Sequence, residues 1–70
     1  MRLGYMVSNK LKEIRMKEYM MEPKEFAKKL GVTVRSYYQY EEGSSRPKLE
    51  IALEIAKRLN KKIDDIWYLE

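Results

Sequence analysis

Only five helix-breaking residues interrupt the chain: Gly4, Pro23, Gly31, Gly43 and Pro47. They divide it into segments of helical length, and within most of these the apolar residues recur at helical spacing. Residues 8–19 place Leu11 and Ile14 on one face with Val7 a turn earlier, behind Ser8 or Asn9 as candidate N-cap. Pro23 suits the first position of a second helix, where its missing N–H has no intrahelical acceptor, and Phe26, Ala27 and Leu30 follow on one side. Gly31 then stands where a helix C-cap wants a positive φ. Thr33 is a good N-cap for a third helix, Val34–Glu42, closed by Gly43. In that helix Val34, Tyr37, Tyr40 and Glu41 share one side, and Arg35, Tyr38, Gln39 and Glu42 the other. Its cluster of tyrosines also suits a strand, but the Thr cap, the closing Gly and the short connections favour helix.

Residues 44–48, SSRPK, read as a turn in which Pro47 holds Arg46 extended. Leu49, Ala52, Leu53, Ile55, Ala56 and Leu59 then build a wide apolar stripe on a fourth helix, with Lys57 and Arg58 near its C-terminal end, where they complement the dipole. Ile63, Ile66, Trp67 and Leu69 suggest a short fifth helix. The alternation of Leu3, Tyr5 and Val7 is too brief to define a strand and is read as an extended arm. The expected architecture is therefore all-α: an N-terminal arm over residues 1–8, then a single five-helix domain over residues 9–69 with no strand pair. The connection between the second and third helices is about three residues long and begins with Gly31, which is the signature of a helix-turn-helix.

Composition narrows what such a domain can do. Seventy residues make one domain with a small core, and with no Cys and no His the chain has neither disulfide nor zinc cluster to staple it. Zinc hydrolases, Cys proteases and Ser-His-Asp hydrolases lack their parts here, and no cofactor is expected. No apolar run approaches the roughly 18 residues of a membrane span. The opening MRLGYMV is too short and polar for a signal peptide, so a cytoplasmic protein is expected. The net charge of +4 is unevenly spread: residues 1–22 and 23–47 each carry five basic and three acidic groups, residues 48–70 five of each. The excess lies outside the last third, a weak sign of an anionic partner.

Residues 26–43, FAKKLGVTVRSYYQYEEG, resemble the Cro/phage-repressor-like (Xre-type) helix-turn-helix family. The matching features are Ala27, the turn Leu30-Gly31-Val32-Thr33, the side chains of Tyr37 and Tyr40, and Glu41 before Gly43. The likeness continues through Pro47, Leu49, Ile55-Ala56 and Leu59 to Ile63-Asp64-Asp65-Ile66, and so covers roughly residues 9–67. It implies a lambda-repressor-like fold and a sequence-specific regulator of transcription, a repressor, that lays its third helix in the DNA major groove. The family's base-facing positions fall on Val34, Arg35, Tyr38 and Gln39. Arg35 can pair bidentately with guanine, Gln39 with adenine, and Val34 can pack on a thymine methyl. Tyr38 can reach a phosphate or stack along the groove wall. Phosphate contacts fall on Lys24, Thr33, Ser36, Ser44, Arg46 and Lys48, although Thr33 serves as a cap in any case. The family also pairs the Glu of the third helix with an Arg of the first, here Glu41 with Arg15.

Three departures from the family pattern stand out. Pro23 occupies the place of a Gln that holds a phosphate, a duty that Lys24 can take over. The stretch between Arg15 and Ala27 is one residue longer than usual. Lys61 replaces an apolar residue before the last segment. Regulators of this type act as dimers on two half-sites of a palindromic operator, about 34–36 Å apart. Trp67 is expected in the core, while Tyr68, Leu69 or the apolar arm can supply a dimer surface. A separate ligand-sensing domain does not fit in this length, so no small-molecule ligand is expected. The competing reading keeps the fold but makes it a protein-interaction module, such as an antitoxin or antirepressor. An enzyme is a remote third reading, since the adjacent acids Asp64-Asp65 and Glu41-Glu42 point different ways.

Overall fold

The computed structural model describes residues 6–70. Four helices form the body: α1 begins at Leu11–Ile14 and continues as a π-turn over Arg15–Tyr19, followed by α2 (Pro23–Leu30), α3 (Val34–Glu42) and α4 (Leu49–Arg58). They enclose a single core of Leu11, Ile14, Phe26, Ala27, Leu30, Tyr37, Ile55, Ala56, Leu59 and Ile66. Aromatic rings link its layers. Phe26 of α2 meets Tyr37 of α3 edge-on at 5.5 Å and Tyr19 at 5.6 Å between centroids, arrangements that complement the ring quadrupoles. Each such buried ring removes enough apolar surface from water to stabilise the fold by about 1.5–3 kcal/mol.

The expected fifth helix does not form. Ile63–Asp65 make one 3-10 turn, and Trp67–Leu69 run as strand β2. This strand pairs antiparallel with β1 (Val7–Asn9), setting Val7 opposite Leu69, Ser8 opposite Tyr68 and Asn9 opposite Trp67. The ladder is flanked by Lys10 N–H donating to Ile66 O at 2.8 Å and Glu70 N–H donating to Met6 O at 2.9 Å. A segment of seven residues gains too few helical bonds to offset nucleation. Val, Trp and Tyr side chains suit extended backbone, and pairing satisfies the peptide groups. The expectation that no strands pair fails for the same reason: the partners lie at opposite ends of the chain, where no hairpin signal marks them. Val7 and Ser8, expected in the arm, are thus strand residues; the rest of the arm up to Tyr5 lies outside the described residues.

After Ile14 the helix widens into the π-turn, whose i→i+5 bonding takes an extra residue into one turn. The turn ends at Met20, left-handed at φ 50° and almost fully exposed. Lys61 binds the same segment through Glu18 at 3.0 Å. The N-cap of α1 is Lys10, not Ser8 or Asn9, and it makes no side-chain cap bond; one residue earlier, Asn9 Oδ1 accepts from Leu11 N–H at 3.0 Å.

Candidate nucleic-acid interface

The turn between α2 and α3 is built by local bonds. Gly31, left-handed at φ 79°, lets its N–H reach Lys28 O (3.1 Å) while Val32 N–H reaches Ala27 O (3.0 Å). This is the Schellman closure of a helix, and it satisfies carbonyls that α2 would otherwise leave open. The lack of a side chain at Gly31 has a second use: a Cβ there would lie 3.0 Å from the Arg58 guanidinium carbon. Arg58 crosses this point from α4, paired with Glu54 at 3.1 Å and directed at Lys29 O at 3.4 Å. A cation thus sits at the C-terminal, negative end of α2.

On the far side of the turn, Thr33 starts α3 with its Oγ1 accepting from Ser36 N–H at 3.0 Å. Gly43 at φ 84° ends the helix. Between the caps, the helix has two unlike sides. On the inner side Tyr37 is fully buried, and its hydroxyl lies between two charges. Arg15 Nε donates to Tyr37 Oη at 3.0 Å, and the Tyr37 hydroxyl donates to Glu41 Oε2. Arg15 Nε and Glu41 Oε2 stand 3.5 Å apart with side chains 11% and 17% exposed, and Arg15 Nη1 also donates to Met21 O at 2.9 Å. Burial pushes the Tyr37 hydroxyl pKa well above its ordinary value; the bond to Glu41 adds to this and Arg15 opposes it. For Arg15, burial acts to lower the pKa, but the hydrogen bond to Tyr37 and the charges of Tyr37 and Glu41 outweigh it and leave it raised. Such a network favours one geometry more than it adds net stability. From the sequence Tyr37 was expected only as core; the i, i+4 spacing of Tyr37 and Glu41 opposite an Arg is the signal for its bridging role.

The outer side of α3 carries Val34, Arg35 and Tyr38, all exposed, with Gln39 and Ser36 half-buried at its margins. Among the described residues, the side chains of Arg35, Tyr38 and Gln39 take part in no hydrogen bond or ion pair. Lys24 is exposed in the first turn of α2, and Arg46 and Lys48 are exposed on the turn that follows α3. Ser44 is differently placed: its hydroxyl donates to Glu42 Oε1 at 3.1 Å. Lys28 is exposed, while Lys29 leans over the Tyr19 ring at 4.8 Å.

A short turn joining α2 to a capped helix with a fastened inner side and an unpartnered polar outer side defines the helix-turn-helix class. The chain belongs to the Cro/C1-type helix-turn-helix family, whose pattern matches residues 11–66. It is also similar to a protein of Archaeoglobus fulgidus described as an uncharacterized HTH-type transcriptional regulator, with 36% identity over 61 residues that span 87% of this chain and 84% of the relative. No helix among the described residues is long and apolar enough to cross a membrane.

Proposed function

We propose that this protein is a sequence-specific repressor of transcription that binds double-stranded DNA with α3 in the major groove. The observation that carries this reading is the outer side of α3, where Val34, Arg35 and Tyr38 are exposed and the Arg35 and Tyr38 side chains make no hydrogen bond or ion pair among the described residues, on a helix whose other side is fixed. A helix already formed in the free protein presents these donors with no backbone left to order on binding. Arg35 reads guanine, Gln39 adenine and Val34 a thymine methyl, with Tyr38 beside them. Lys24, Arg46 and Lys48 supply phosphate contacts, joined by the hydroxyls of Thr33 and Ser36. Ser44 joins them only by turning away from Glu42.

The protein acts in this reading as a homodimer on a palindromic operator and works by contact alone, with no catalytic step. Tyr68 and Leu69 on β2 are 39% and 65% exposed, and Leu49 and Leu53 on α4 are 66% and 51% exposed. Either group offers apolar surface for a second subunit. The same surface also suits a foreign protein partner, which is what keeps the antitoxin or antirepressor reading in view.

Selection of bound sequences from a random duplex pool tests the proposal. The expected result is a palindrome with half-sites one DNA turn apart, roughly 34–36 Å. Affinity for random duplex should also fall steeply between low and moderate salt, because bound phosphates release counterions. A chain that enriches no sequence, and holds no duplex at low salt, is not a DNA-binding repressor, and the protein-partner reading then takes its place.

A further inference from the structure

We propose that Asn9 is the positioning residue that sets α3 for DNA. A single side-chain amide serves three backbone groups on two helices. Its Oδ1 accepts from the N–H of Leu11, the first residue of α1, at 3.0 Å, and its Nδ2 donates to Tyr40 O at 2.9 Å and Glu41 O at 3.2 Å. The latter are carbonyls of the last turn of α3, which no helical N–H further along the chain is bound to serve. Gly43 N–H reaches back to Gln39 O and Tyr40 O, and Asn9 takes Tyr40 O and Glu41 O.

The placement makes Asn9 more than a local cap. It is the last residue of β1, paired with Trp67 of β2, so its backbone is tied to the far end of the chain. It lies at the start of the helix that also carries Arg15. Residue 41 is thus held at two points from the N-terminal segment: its carboxylate by Arg15 on the turn after α1, its carbonyl by Asn9 at the end of β1. Two such points fix the tilt of α3 as well as its position, where the ion pair alone leaves a pivot. Asn is the fitting residue, because the duty needs an acceptor for an N–H and a donor for two carbonyls on one short side chain.

Specific binding requires α3 to meet base edges in register, whereas contacts to phosphate tolerate a looser helix. A loosened α3 must be ordered on the operator, and that cost appears in the specific affinity. This inference rests on the DNA-binding reading above. Asn9→Ser keeps an acceptor for Leu11 N–H, but its oxygen stops one atom short of the amide nitrogen and donates to no α3 carbonyl. Asn9→Asp also keeps the acceptor and turns a carboxylate oxygen toward two carbonyl oxygens.

Both variants are compared with the parent by circular dichroism, by backbone carbonyl chemical shifts, and by binding to the selected operator and to random duplex. The expected result is unchanged helicity, displaced carbonyl shifts at Tyr40 and Glu41, and operator affinity about tenfold lower, the size of one to two lost hydrogen bonds. The Asp variant should lose more than the Ser variant. Affinity for random duplex at low salt should stay within about twofold of the parent, as sequence-independent phosphate binding requires. Unmoved carbonyl shifts, unchanged operator affinity in either variant, or an equal fall for operator and random duplex overturns the proposal. Should the parent chain enrich no sequence, the DNA-binding reading fails by itself. The carbonyl shifts of the free protein then decide whether Asn9 holds α3.

Discussion

The two sides of α3 differ in how their polar groups are satisfied. On the inner side, every polar atom named has a protein partner: the Tyr37 hydroxyl joins Arg15 to Glu41, and the carbonyls of residues 40 and 41 are taken by Asn9. On the outer side, exposed Arg35 and half-buried Gln39 have no hydrogen-bond or ion-pair partner among the described residues. Both sides come from nine consecutive residues of similar polarity. Composition therefore does not separate them; neighbours do. A polar group removed from water needs a partner, whereas one left in water is free to exchange it for another. The inner side is built to keep a shape, and the outer side to be occupied.

The largest expected effect breaks the inner side. Tyr37→Ala empties the centre of the core and separates Arg15 from Glu41, and should cost about 3–5 kcal/mol in a denaturant titration, as large aromatic truncations do. Tyr37→Phe keeps the ring and removes the bridge; it should cost about 1–3 kcal/mol, the penalty of leaving partners unpaired. The hydroxyl also predicts a pH dependence. Its folded pKa is raised above the ordinary 10.0, so the unfolded chain loses this proton first as pH rises. The folded state then binds more protons, and stability falls with pH above that ordinary value. The contribution is complete below it. Tyr37→Phe should therefore flatten the alkaline fall measured by denaturation at a series of pH values; an unaltered slope means that the hydroxyl is not held as described.

Much of this arrangement can be read from the sequence, and the reason differs from element to element. The boundaries of α2 and α3 are written in local signals: Pro23, Gly31, Thr33 and Gly43 each act through their own backbone or the nearest N–H groups. Helical period separates Arg35 and Tyr38 from Tyr37, Tyr40 and Glu41, but it groups Val34 with the inner side, whereas the structure leaves it exposed beside Arg35. What is not legible depends on distant partners. Trp67–Leu69 carries helical spacing of apolar residues but pairs with Val7–Asn9 from the opposite end of the chain. The left-handed turn after α1 falls on Met20, a residue with no preference for it, so no local signal marks where that helix ends. Asn9 is legible as a residue that bonds the start of α1, although Lys10 is the N-cap; its bonds to residues 40 and 41 are not legible.

The next effect sharpens the contrast from the outer side. Arg35→Ala should leave the denaturation midpoint unchanged, because the exposed side chain makes no hydrogen bond or ion pair among the described residues. It should weaken operator binding by about 1–3 kcal/mol and relax the preference at one base pair. A parallel measurement of stability and affinity decides the matter. Loss of stability without loss of affinity would place Arg35 in the structure and dismiss it from readout.

The smallest expected effect falls on Thr33, which belongs to both sides. Its Oγ1 accepts from Ser36 N–H at 3.0 Å, while the residue itself is exposed at the start of the outer side. Thr33→Ala should destabilise the fold by about 1 kcal/mol, the ordinary worth of an N-cap. The cap uses the oxygen as acceptor and leaves the hydroxyl proton free for a phosphate oxygen, so the two duties do not compete. Salt separates them. A hydroxyl contact brings no charge and releases no counterion, so Thr33→Ala should lower affinity without altering the dependence of log affinity on log salt. Lys48→Ala, in contrast, should reduce that slope by about one. If Thr33→Ala costs only stability, with affinity unchanged for the folded fraction, Thr33 is a cap alone, and the outer side of α3 begins at Val34.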